Sequence, residues 1–242
     1  VPRREPGDDG RGGHTPVLAR SALDPTPAPS FVPSSQDDLA PSGAKARYAA
    51  NVEAIRLLRT LTDEQRPASV EEQQTLARWS SWGAVADVFD PSKQNWTAEH
   101  AELRGLLTDE EWSAAERTTL NAHYTDPLVV RQMWRALSSL GFTTGTVLEP
   151  GSGAGTFIGM APAGARVTGV ELDPLTAAIS RALYPHAEVR TESFADARIL
   201  TGTFDAAIGN VPFSDVKLHD PVHNPGHGAG RARGGAAHPR RR

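Results

Sequence analysis

The chain reads as an α/β protein, a parallel doubly wound sheet of about four strands preceded by an α-helical region. Three observations carry that expectation. From Thr125 onward short apolar runs, T-V-L-E, A-R-V-T-G-V-E, A-E-V-R and F-D-A-A-I-G, alternate with helix-like segments, the order that builds parallel strands through crossover connections. A glycine-rich loop, G-S-G-A-G at 151–155, directly follows the first run. Upstream, residues 44–122 show apolar spacings of three and four, the period of amphipathic helices.

In chain order, residues 1–43 are rich in Pro, Gly, Ser and Asp without a periodic apolar pattern, and are expected to be mostly disordered. From Ala44 the texture changes. Tyr48, Val52, Ile55 and Leu58 recur along one face, with Lys45, Arg47, Arg56 and Arg59 among the intervening positions. Ser69-V-E-Glu72 and Thr108-D-E-Glu111 have capping-box spacing, so helices should begin at Val70 and Asp109. Between them W-S-S-W-G-A-V-A-D-V-F-D-P predicts a packed turn. Trp79, Trp82, Phe89 and Trp96 are most simply core, with base stacking as the alternative. T-D-P-L-V-V-R-Q-M-W-R-A-L predicts a helix with a Thr cap and an early Pro.

Composition removes several classes of function. With 0 Cys, neither a disulfide framework nor a thiolate metal site can form. No apolar run of about 18 residues exists to cross a membrane. The opening V-P-R-R-E-P-G-D-D-G has no apolar signal-peptide core, so a cytoplasmic protein is expected. Net charge is −4, but residues 217–242 carry six Lys/Arg against Asp220, a local +5 that leaves −9 on the first 216. His219, His223 and His227 stand four apart, yet Pro221, Pro225 and Gly226 break any helix that would align them as metal ligands, and no metal is expected.

V-L-E-P-G-S-G-A-G-T-F follows a strand and opens a helix. Gly151, Gly153 and Gly155 permit a tight turn and close approach of a ligand to the backbone. Their G-x-G-x-G spacing departs from the G-x-G-x-x-G of dinucleotide enzymes, and no Lys-Ser/Thr follows to make a phosphate-binding P-loop. The second strand ends in G-V-E-L-D-P, where Glu171 is placed to accept hydrogen bonds from both hydroxyls of an adenosyl ribose.

A-I-G-N-V-P-F closes the fourth apolar run, at 207–213. In a doubly wound sheet that strand lies beside the first, and ligands gather at the carboxyl ends of the strands. The lone pair of an exocyclic adenine amine is delocalised into the ring. Two carbonyl acceptors, the Asn210 side chain and the Val211 backbone, favour the pyramidal nitrogen that attacks a methyl group. Pro212 keeps Val211 extended. Phe213 offers a face for an extruded base.

Together these residues resemble the gamma-type amino-methyltransferases that use S-adenosylmethionine, over residues 121–213 and in the family's order. H-Y-T-D-P resembles the first cofactor motif, E-P-G-S-G-A-G-T-F the glycine loop, and G-V-E-L-D-P the ribose acid. E-S-F-A-D resembles the adenine-flanking motif, and N-V-P-F the catalytic N-P-P-F/Y. The resemblance implies that Tyr124 and Thr125 touch the cofactor and that Glu149 lies near its methionine end. It places Ser193 and Phe194 at the cofactor adenine, with Ser193 standing where the family has an acid, and Val211 where it has Pro. N-V-E-A-I-R-L-L, W-G-A-V-A-D-V-F-D, L-N-A-H-Y-T and A-I-G-N-V-P-F extend the likeness, over 31–227, to the methylase portion of phage and plasmid methylase–helicase polypeptides of the defence-against-restriction B type.

The implied fold is a partial Rossmann-like methyltransferase sheet. The family sheet has seven strands in the order 3-2-1-4-5-7-6, and four are legible. The expected division is a disordered segment 1–43, a helical region 44–122, an incomplete S-adenosylmethionine-binding domain 123–216, and a basic low-complexity tail 217–242 that reads as out of frame. The expected function is an N6-adenine DNA methyltransferase domain, truncated and inactive alone, with adenine-containing DNA and a helicase domain or subunit as partners and no membrane. The alternatives are methylation of a protein glutamine amide, or a non-catalytic anti-restriction interaction module. A dinucleotide dehydrogenase is disfavoured by the glycine spacing.

Overall fold

The computed structural model describes residues 30–36, 39–119 and 124–210. Val211, Pro212, Phe213, the three spaced histidines and the basic tail lie outside the described residues.

The helical region comprises α1 (Ala44–Asp63), α2 (Val70–Ala77), 3₁₀ turns at Gly83–Phe89 and Gln94–Trp96, α3 (Thr97–Leu106) and α4 (Asp109–Thr118). Both capping boxes close where their spacing predicted. Ser69 Oγ accepts the Glu72 amide at 3.2 Å while Glu72 Oε2 accepts the Ser69 amide at 2.8 Å. Thr108 and Glu111 repeat the exchange with the same two distances. Each box satisfies two amide donors that a helix start otherwise leaves without partners.

The predicted packed turn is a core. Trp79, Trp82, Phe89 and Trp96 are all buried, so no ring face is open for a base. Trp82 meets Trp79 edge-on at 5.5 Å and Phe89 at 5.4 Å, and Phe89 meets Trp112 at 4.9 Å, the arrangement that ring quadrupoles favour. Asn51 on α1, fully buried, pins the start of this turn. Its Nδ2 donates to the Ser81 carbonyl at 2.6 Å, and its Oδ1 accepts the Ser80 amide at 2.9 Å and the Ser80 hydroxyl at 3.2 Å.

The sheet contains β1 (Gly145–Pro150), β2 (Ala165–Glu171), β3 (Glu188–Thr191) and β4 (Ala206–Ala207). All pairings are parallel, as the alternating pattern predicted, and the order is β3-β2-β1-β4, the first four strands of the order that the resemblance implied. α5 (Pro127–Ser139) precedes β1, α6 (Thr156–Gly159) follows it, and α7 (Pro174–Leu183) links β2 to β3.

Three local expectations are corrected. The cap of α5 is Asp126, whose Oδ1 accepts the Leu128 amide at 2.7 Å, and not Thr125. Pro127 occupies the first turn, where its missing N–H costs nothing, so the cap is the residue directly before it. The helix expected after the glycine loop is a single turn, because Pro162 and Gly164 follow too soon for another. The fourth strand pairs over two residues rather than six, although the Asp205 and Ile208 amides extend its ladder onto Thr146 and Leu148.

α7 lies between the sheet and the helical region, touching β2 and β3 as well as α1, α2 and α4. Leu175, Ala177, Ile179 and Leu183 are buried on it, and one continuous apolar core runs from Tyr48 to Ile208. The Phe31 amide donates to the Leu183 carbonyl at 3.0 Å, and Phe31 and Leu39 lean on that core. Packing therefore begins inside the stretch expected to be mostly disordered. Among the described residues no helix is long and apolar enough to cross a membrane.

Asn51→Ala should lower the unfolding free energy by about 1–3 kcal/mol, because it leaves the Ser80 amide and Ser81 carbonyl buried without partners. Urea denaturation followed by Trp fluorescence measures this. A loss within error of zero would show that water replaces the asparagine.

Candidate functional site

The carboxyl ends of β1 and β2 bring the motifs together. Gly151, Gly153 and Gly155 have φ of 66°, 54° and 88°, conformations that strain an L side chain. Two of them also lack room. A Cβ at Gly153 would stand 2.9 Å from the Tyr124 ring, and one at Gly155 would stand 2.6 Å from the Tyr184 ring. The loop is thus held between two tyrosines, and Gly151 alone of the three faces open space among the described residues.

Glu171 ends β2 and steadies that loop. Its Oε2 accepts the Gly153 amide at 2.8 Å, and its Oε1 accepts the Asp173 amide at 2.8 Å. Each carboxylate oxygen has a second lone pair, so both remain able to accept a hydroxyl. Burial raises its pKa against the lowering effect of these two amides.

Glu149, on β1, is 2% exposed, and its Oε2 has no partner among the described residues. Burial pushes its carboxyl well above the usual carboxylate range, and the charge of Glu171 adds to the effect. The buried hydroxyl of Ser152, inside the loop, is likewise without a partner among the described residues. Each such group costs about 1–3 kcal/mol until a ligand or water meets it. Asp173 is also buried. Its Oδ2 accepts the Thr176 amide at 2.9 Å and hydroxyl at 2.6 Å, while burial still raises its pKa.

Tyr124 packs its ring on Gly153. Burial and the charges of Glu171 and Asp173 raise its phenol further above the physiological range, so it stays neutral. Thr125 is half-buried between Tyr124 and the capping Asp126. At the end of β3 the Glu192 amide donates to the Glu171 carbonyl at 3.0 Å. Ser193 follows half-buried beside it, while Phe194 is 49% exposed.

The fourth strand delivers its end to the same place. The Ile208 amide donates to the Leu148 carbonyl at 2.9 Å. A Cβ on Gly209 would lie 3.4 Å from the Pro150 carbonyl oxygen and 3.7 Å from Glu149 Cγ. Asn210, exposed, therefore leaves the sheet beside the start of the glycine loop.

Sequence reasoning missed Asp173, Ser152, Tyr184 and the part Trp79 plays here. Asp173 carried a signal, since D-P-L-T has the spacing of a capped helix start. Ser152 lies within the glycine loop itself, with nothing in its identity to mark it, while Tyr184 and Trp79 are brought in by packing from other segments.

No known family profile matches the chain. Among solved structures it is similar to proteins assigned as methyltransferases. One, from Pyrococcus horikoshii and assigned as an RNA methyltransferase, is 21% identical with a TM-score of 0.36, over 43% of this chain and 55% of that one. Another, from Listeria monocytogenes and assigned as a class I S-adenosylmethionine-dependent methyltransferase, is 14% identical with a TM-score of 0.32, over 68% and 59%. The methyltransferase subunit of a type I restriction-modification system from Streptococcus thermophilus is 16% identical with a TM-score of 0.31, over 66% and 44%. In sequence, the chain is 26% identical over 177 residues to the Defense against restriction protein B of Escherichia phage P1. That alignment takes in 70% of this chain but spans only 6% of the phage protein's length.

The elevated Glu149 pKa sets a pH dependence. A carboxyl whose pKa rises on folding contributes stability that is full below its unfolded value near 4.5 and lost as pH climbs through the folded value. Glu149→Gln removes that loss. Its melting temperature relative to the unsubstituted protein should therefore be higher at pH 8 than at pH 5. Equal differences at the two pH values, measured by calorimetric scans, would show that Glu149 does not titrate in a buried setting.

Proposed function

We propose that this chain is an S-adenosylmethionine-dependent methyltransferase domain acting on the exocyclic N6 amine of adenine in DNA. One observation carries the reading: Asn210 leaves the sheet beside a glycine loop flanked by the carboxyls of Glu149 and Glu171. The likeness to the phage protein supports a DNA setting, since its name speaks of defence against restriction.

The residues present fit such a cofactor. Gly151 faces open space, Glu171 keeps free lone pairs for two ribose hydroxyls, and Glu149 and Ser152 hold buried polar atoms without partners among the described residues. Glu149, once ionised, attracts the positive charge of the amino-acid end. Tyr124 borders the loop with Thr125 next in the chain, and Ser193 and Phe194 follow Glu192, whose amide meets the Glu171 carbonyl, on the side proposed for the cofactor adenine. S-adenosylmethionine supplies a methyl group on a positively charged sulfur. The chain's part is to prepare the amine: Asn210 Oδ1 and the Val211 carbonyl each accept one amine hydrogen, localising the nitrogen lone pair, while Phe213 stacks on the extruded base.

In titration calorimetry Glu171→Ala should weaken S-adenosylmethionine binding by about 1.5–3 kcal/mol, the worth of hydrogen bonds to a charged group. Asn210→Ala should leave that affinity nearly unchanged, because the amide acts on the amine. Any labelled methyl transferred to DNA should appear on adenine N6 and disappear in Asn210→Ala. Label on cytosine, transfer that survives Asn210→Ala, or full affinity in Glu171→Ala would refute the assignment.

A further inference from the structure

A cavity of about 230 Å³ opens between the helical region and the glycine loop. Tyr124, Ala154 and Thr156 line it from the sheet side, and Arg47, Trp79 and Gly83 from the helical side. Pockets for whole drug-sized ligands start near 300 Å³, so this one suits a fragment about the size of an amino acid. Its walls are braced. Trp79 donates its indole N–H to Thr176 Oγ1 at 3.1 Å, and Asn51 pins the two residues that follow Trp79.

Arg47 is the cation on this wall. Its Nε donates to the Pro41 carbonyl at 2.9 Å, which orients the guanidinium and leaves both Nη groups without a partner among the described residues. The other basic residues of α1 differ: Lys45 pairs with Glu99, Arg56 with Glu102 and Arg59 with Glu111. An arginine held by one edge, with its other edge without a partner among the described residues, and lining a cavity next to a ligand loop is prepared for an anion. Its planar fork matches a carboxylate through two parallel N–H donors.

We propose that Arg47 clamps the α-carboxylate at the amino-acid end of S-adenosylmethionine, making the helical region one wall of the cofactor pocket. The inference rests on the methyltransferase reading above and extends it to α1. The amino-acid end is a zwitterion, and the glycine loop has a carboxylate on its β1 side in Glu149 and a guanidinium on its α1 side in Arg47.

The test compares S-adenosylhomocysteine, which carries the amino-acid end, with 5′-methylthioadenosine, which lacks it, by titration calorimetry on the full chain. Arg47→Ala should weaken S-adenosylhomocysteine binding by about 10- to 100-fold, the range for hydrogen bonds to a charged group, and leave 5′-methylthioadenosine binding unchanged. Arg47→Lys should recover part of the loss. Retained binding of the truncated ligand also shows that the variant is folded. Unchanged S-adenosylhomocysteine affinity in Arg47→Ala, or equal losses for both ligands, would overturn the clamp. If the unsubstituted chain binds neither ligand, the methyltransferase reading itself fails and the clamp fails with it.

Discussion

The hydroxyl of Thr176 is the joint on which the molecule turns. It accepts the Trp79 indole N–H at 3.1 Å and donates to Asp173 Oδ2 at 2.6 Å. A threonine hydroxyl has one donor and two acceptor positions, and here the donor and one acceptor are engaged. Its partners come from the helical region and the turn after β2. Because all of them are withdrawn from water, losing one leaves the others unsatisfied, which costs more than the bond itself contributes. The joint therefore ties α7 to both halves of the core.

Around that joint the site departs from the rules that govern the rest of the fold. Elsewhere the charged side chains of the helical region sit at the surface in pairs, as with Arg56–Glu102 and Arg59–Glu111. At the ends of β1 and β2 three carboxyls, those of Glu149, Glu171 and Asp173, cluster with raised pKa values and form no ion pair among the described residues. Burying like charges together opposes folding. Such a conflict between local stability and placement is expected where a ligand completes the structure. Glu149 shows it most plainly, with a buried oxygen that nothing among the described residues satisfies.

Sheet topology then gives these acids their neighbour. β4 pairs with β1 over two residues only, yet that is enough to carry Gly209 against Pro150 and to bring Asn210 out beside the loop. The single turn of α6 has a matching effect. Without a long helix after the loop, Ala154 and Thr156 can face α1 and the turn that follows α2 across a shared cavity.

The elements legible in the sequence are those specified within a few residues of one another. Ser69 and Glu72, or Thr108 and Glu111, close their boxes across three residues, so spacing alone locates both helix starts. The parallel sheet follows from alternating strands and helices, and its order β3-β2-β1-β4 matches the one that the resemblance implied. The glycine loop and Glu171 were recognisable because a tight turn and a strand-end acid leave a mark on neighbouring positions. Tertiary structure decided the rest. Trp79 and Thr176 are 97 positions apart, and no period or motif relates residues at that distance. The burial of Glu149, the pressure of Tyr184 on Gly155 and the place of Arg47 on the cavity wall arise the same way, from α7 being packed on two sides. Local spacing specifies which backbone amides are satisfied nearby. Only the closure of one core around α7 determines which side chains lose water and which of them are left facing the loop.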